Sequence, residues 1–188
     1  MTALSDAFAD ASAALTAALL AAATDPADGV RLLLPLAGWM PPPITGAGAL
    51  AANADAAQAA IASNLRCAAC AALASATQAY QPISYQDAQA VRAAVCGALD
   101  AEATRVADAG LDASYAALRA LRAAVALDLA VRGANLALLV EIDTRQPMPS
   151  LAQAWTLYQD TTREPQLVAS AGAPHPLFLP LSFPALAT

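Results

Sequence analysis

The sequence predicts a mainly α protein: an antiparallel helical bundle followed by a small βααβ unit. Three observations carry that prediction. Alanine makes up close to a third of the 188 residues and leucine is frequent, and both are strong helix formers. Apolar residues recur at three-to-four spacing through most of residues 49–133. After Gly133 the texture changes to a short alternating run and then two short helical segments. A boundary near Asn135 divides the chain into a bundle domain, 1–134, and a second domain, 135–188.

A first helix is expected over Leu4–Ala23. Asp25-Pro26-Ala27-Asp28 then reads as a helix start, with an Asp cap, Pro at the first position and an acid in the first turn. Gly29 and Pro35 keep that helix short, and Val30–Leu36 also reads as a strand. Trp39–Gly48, with Pro41-Pro42-Pro43 and two glycines, is an extended connector. A long helix follows from Ala49 to Tyr80, with Leu50, Ile61, Leu65, Leu73 and Tyr80 along one side. Ser84-Tyr85-Gln86-Asp87 is a capping-box pattern that opens the next helix, whose stripe is Ala88, Val91, Val95, Leu99 and Val106. Gly110 stops it. Tyr115, Leu118, Leu121, Val125 and Leu129 form the third stripe, and Gly133 is read as a left-handed stop. Leu136–Asp143 then reads as a strand, Leu151–Tyr158 and Arg163–Ser170 as short helices, and Phe178–Leu186 as an extended, Pro-interrupted segment.

Charge and composition exclude several classes. All nine basic residues are Arg, set against fifteen acids, with a net charge of −6 and no basic run. Nucleic-acid backbones need clustered cations, so a nucleic-acid partner is not expected. No stretch has the run of strongly apolar residues that a membrane span needs, and Ser12–Thr24 follows Asp6 and Asp10 rather than a basic leader. Three Cys give no disulfide framework. With only 13% charged residues, the chain is expected to have faces that other subunits cover.

The inventory of chemistry is thin. Cys67-Ala-Ala-Cys70 falls in mid-helix rather than at a helix start after a strand, so both thiols read as small core hydrophobes. A zinc site would need Cys67, Cys70, Cys96 and His175, which lack paired ligand spacing. His175, the only histidine, lies between Pro174 and Pro176 and reads as a turn residue capping local backbone. Asp100 and Glu102 belong to a helix flank, and Glu141 and Asp143 to the solvent face of a strand. No catalytic residue, cofactor or metal is assigned, and the chain is not read as an enzyme.

Several stretches resemble a family, the DNA circularisation proteins found in the tails of Mu-like bacteriophages. The resemblance rests on Asn64-Leu-Arg66, Tyr85-Gln-Asp87-Ala88, Val91-Arg92, Leu99-Asp100-Ala101-Glu102 and Tyr115-Ala-Ala-Leu118-Arg119-Ala-Leu121-Arg122. It continues through Asp128-Leu129, Arg132-Gly133-Ala134, Pro149-Ser-Leu151, Leu157-Tyr158-Gln-Asp160, Arg163, Leu167-Val168-Ala169 and His175-Pro176-Leu-Phe178. It covers the C-terminal part of that family, and residues 1–60 match weakly, by composition more than by motif. The last unit also resembles a LysM fold: Leu151–Asp160 parallels the first LysM helix with its Tyr-Gly-Asp end, although Gln159 stands where Gly is customary. What these resemblances imply is a virion protein of the tail baseplate, made in the host cytoplasm. It would assemble with hub, tube or wedge subunits in multiple symmetric copies. The rival reading is a LysM protein that binds peptidoglycan.

Aromatic and Arg side chains dominate protein-binding hot spots. Trp155, Tyr158, Arg163 and Phe178 concentrate both kinds in the C-terminal unit, and they are the predicted docking residues. The competing role for Trp155 and Phe178 is as the unit's own core.

Overall fold

The computed structural model describes residues 2–187. Their elements are α1 (Thr2–Ala22), α2 (Pro26–Ala37), α3 (Ala49–Ala79), α4 (Tyr85–Asp108), α5 (Asp112–Gly133), β1 (Leu139–Asp143), α6 (Ser150–Tyr158), a 3-10 turn (Thr161–Arg163), α7 (Glu164–Ala171) and β2 (Ser182–Leu186). The protein is mainly helical with one small antiparallel sheet near its C-terminus. It divides into two compact units, one comprising the chain through Gln81 together with Gln89–Val131, the other Pro82–Ala88 together with the chain from Arg132.

The first unit is built on α3, against which α1 and α2 pack. Asp25 starts α2 by accepting from Ala27 N–H at 2.8 Å, with Pro26 in the first turn where no donor is lost. The helix is not cut short, and there is no strand at Val30–Leu36. Val30, Leu33 and Ala37 are buried with i, i+3, i+7 spacing, while Pro35 is exposed, so burial of that face outweighs the hydrogen bond Pro35 removes. The connector 39–48 has no regular structure.

The buried face of α3 differs from the expected stripe. Leu50 and Ile61 are exposed, whereas Ala62, Arg66, Ala69, Leu73 and Ala76 are buried, at alternating spacings of four and three. Small side chains carry the interface because they let neighbouring backbones approach. Val95, Leu99 and Val106 of α4, with Leu118, Val125 and Leu129 of α5, complete the core, as their stripes predict. Leu111 N–H bonds to Val106 O and Gly110 N–H to Ala107 O, both at 2.9 Å, with Gly110 at φ +71°: a Schellman stop for α4.

In the second unit, Ser84 Oγ accepts from Asp87 N–H at 3.0 Å and Asp87 Oδ2 accepts from Ile83 N–H at 2.9 Å. The capping pattern forms, with Asp87 accepting from Ile83, the residue before the cap, rather than from Ser84 itself. Gly133 has no left-handed φ; it remains helical at the end of α5. Its lack of a side chain serves close packing instead, because a Cβ there would lie 2.7 Å from Ala88 Cβ. The remainder is a βααβ arrangement. β1 and β2 pair antiparallel with Leu139 opposite Leu186 and Asp143 opposite Ser182. Ala154, Leu167, Leu179, Phe183 and Ala185 form the core between sheet and helices, with Ile142, Leu157 and Tyr158 at its margin.

Candidate docking face and buried ion cluster

The core of the second unit is complete without Trp155 and Phe178, two of the residues that its sequence brings to notice. Trp155 is 54% exposed and Phe178 68%, so neither is core. Leu151, one turn before Trp155 on α6, is also exposed, as are Leu177 and Leu181 beside Phe178. The Phe178 loop is tied to the start of α6: Ser150 N–H donates to Pro176 O at 2.8 Å and Leu179 N–H to Met148 O at 3.2 Å. His175 caps its own turn, as expected, its Nδ1 accepting from Leu177 N–H at 3.1 Å, and its ring lies 6.2 Å from that of Phe178.

Of the four predicted residues the structure brings Tyr158 and Arg163 into direct contact. The Arg163 guanidinium sits 3.9 Å over the Tyr158 ring, a cation–π pair, and its Nε donates to Gln166 Oε1. The Tyr158 hydroxyl accepts from Leu186 N–H at 3.1 Å, fixing the end of α6 to β2. Trp155 is three residues before Tyr158 on α6, and Phe178 pairs with His175. The turn after α6 is specific: Gln159 has φ +55°, ψ 24°, the one non-glycine residue with positive φ among the described residues. Asp160 then caps the 3-10 turn by accepting from both Thr162 Oγ1 (2.7 Å) and Thr162 N–H (2.8 Å), bonds that hold its carboxyl below the ordinary range.

The first unit holds a cluster that the stripes of apolar residues do not reveal. Glu102 is not on a solvated flank but fully buried. Its Oε2 accepts from Arg66 Nε at 2.6 Å and Arg105 at 3.0 Å, and its Oε1 faces Ser63 Oγ at 3.4 Å and Cys67 Sγ at 3.8 Å. Arg66 also donates to Trp39 O at 3.3 Å, which attaches the Pro-rich connector to α3. A signal was present: Val95, Leu99, Glu102 and Val106 share one helical face. Burial, then the Glu102 charge, push the Cys67 thiol above its usual range and that of Cys70 up to about 12. Such thiols resist becoming nucleophiles or metal ligands. A shallow cavity of about 300 Å³ near Cys67 is walled by Ala71, Ala117, Leu118 and Leu121 and presents little polar surface.

No protein-family model matches this chain, and no curated protein is a significant match to it.

Proposed function

We propose that the chain is a structural component of a contractile phage tail baseplate, docking to hub, tube or wedge subunits through its C-terminal unit. The observation that carries this reading is the exposure of Trp155 and Phe178 beside a core already filled by Leu167, Leu179 and Phe183. A small unit that leaves Trp155 and Phe178 in water, together with Leu151, Leu177 and Leu181, presents surface that a partner subunit would desolvate. The resemblance to LysM domains gains support from the turn after α6, where Gln159 takes the left-handed backbone that the customary glycine would take. In the bundle, Arg31, Arg66, Arg105, Arg119 and Arg122 are each paired with a carboxylate, which favours protein rather than DNA as the partner.

Mass spectrometry of purified tail particles tests the reading. The chain is expected at a fixed ratio to the tail tube subunit, and its absence from intact particles would overturn the proposal. A pull-down on insoluble peptidoglycan separates the rival: the baseplate protein stays in solution, whereas a glycan-binding LysM protein is retained.

A further inference from the structure

We infer that the outer edge of β1 is a docking edge for an extended segment of a partner protein that carries Lys or Arg at alternate positions. Ala187 N–H bonds to Leu138 O and Thr144 N–H to Leu181 O, each at 2.7 Å, so even-numbered residues of this strand turn their backbone groups toward β2. In an antiparallel ladder the alternate residues turn theirs outward. Leu139, Glu141 and Asp143 therefore face away from β2, and no third strand pairs with them among the described residues.

The two outer edges of this sheet are not equivalent. On β2, Pro184 has no N–H to offer and Leu186 N–H is taken by the Tyr158 hydroxyl, so of the three outward-facing residues only Ser182 keeps a donor for an added strand. On β1, the Gln86 side chain pairs with Leu139 in both directions, donating to its carbonyl at 3.0 Å and accepting from its N–H at 2.8 Å. That amide does at Leu139 what a neighbouring strand does, and so marks where such a strand begins. Beyond it the N–H and C=O of Glu141 and Asp143 meet no partner among the described residues, and both residues are exposed. An edge of this kind is what strand addition uses.

Charge selects the occupant. The Glu141 and Asp143 side chains lie on one face of the sheet and share a single hydroxyl proton, that of Ser182, at 2.7 Å each. Cationic residues on an incoming strand would stand across from these two carboxylates, at a spacing of two. Self-pairing of β1 in a second copy would set acid against acid, and this chain has no Lys and no two Arg at a spacing of two. The inference stands on the strand edge alone and does not depend on the baseplate reading.

The test uses the full chain, labelled for amide exchange, and three capped six-residue peptides. One alternates Val and Lys, one alternates Val and Glu, and one is the Lys peptide with every amide N-methylated. The Lys peptide is expected to bind at least tenfold more tightly than either of the others, and to slow exchange at the Glu141 and Asp143 amides. Glu141→Lys with Asp143→Lys is expected to reverse the preference in favour of the Glu peptide. Equal binding of the N-methylated peptide would reduce the effect to charge attraction and overturn the inference. So would no binding of the Lys peptide, which leaves the acids as guards of an edge that never pairs, or protection of amides elsewhere only.

Discussion

Arg66 Nε lies 2.6 Å from Glu102 Oε2, joining α3 to α4 through a pair in which both side chains are closed off from solvent. Arg105 supplies the second cation to the same oxygen from the exposed side. A buried pair of this kind gives little net stability over well-packed apolar residues, but removing one partner strands a charge. Glu102→Leu is therefore expected to destabilise the protein by about 3–5 kcal/mol in urea unfolding. Arg66→Met added to Glu102→Leu should recover most of that loss. A single variant as stable as the parent would contradict the network's role.

Gly133 and Ala88 give a second test. The expected destabilisation of Gly133→Ala is about 1–3 kcal/mol, because the new methyl meets Ala88 Cβ at 2.7 Å. Ala88→Gly should relieve the clash, so the double variant should unfold nearer the parent than Gly133→Ala does. A left-handed residue at 133 would instead leave the second substitution without effect.

The Cys70 thiol gives a pH dependence. Its ordinary value of 9.0 is raised to about 12 by burial, then by the Glu102 charge, so the folded chain keeps its proton where the unfolded chain has lost it. Stability from this group is complete below pH 9 and falls as pH rises toward 12, by at most roughly 1.4 kcal/mol per pH unit. Cys70→Ala should flatten that slope in melts taken between pH 8.5 and about 10.5. At pH 8 the folded chain keeps this thiol protonated, so alkylation of Cys70 should require unfolding.

How much of this could be read in the sequence depended on whether local chemistry or packing decided each position. Asp25, Ser84 with Asp87, and Gly110 act on backbone within a few residues, and their caps and stop form where their spacing puts them. Gly133 looked like the same signal, but its constraint comes from Ala88, forty-five residues earlier, and a stop signal cannot distinguish the two. The buried face of α3 follows its alanines rather than Leu50 and Ile61, because close approach favours small side chains over large ones. A stripe drawn through apolar residues alone leaves out Glu102, although its spacing from Leu99 and Val106 puts it on the same face. For Trp155 and Phe178 the sequence left core and surface open. The decision lay with Leu167, Leu179 and Phe183, which fill the space first.

The central claim is that the exposed residues of the C-terminal unit hold the chain in a tail, and one paired measurement addresses it. Trp155→Ser with Phe178→Ser is compared with the parent by thermal melting of the purified chain and by its content in tail particles from cells carrying each version. Both side chains lie outside the core, so each substitution is expected to change stability by no more than about 0.5 kcal/mol. The account predicts an unaltered melt with the variant lost from the particles. Particles that contain the variant at the parent's level, alongside an unaltered melt, would contradict it.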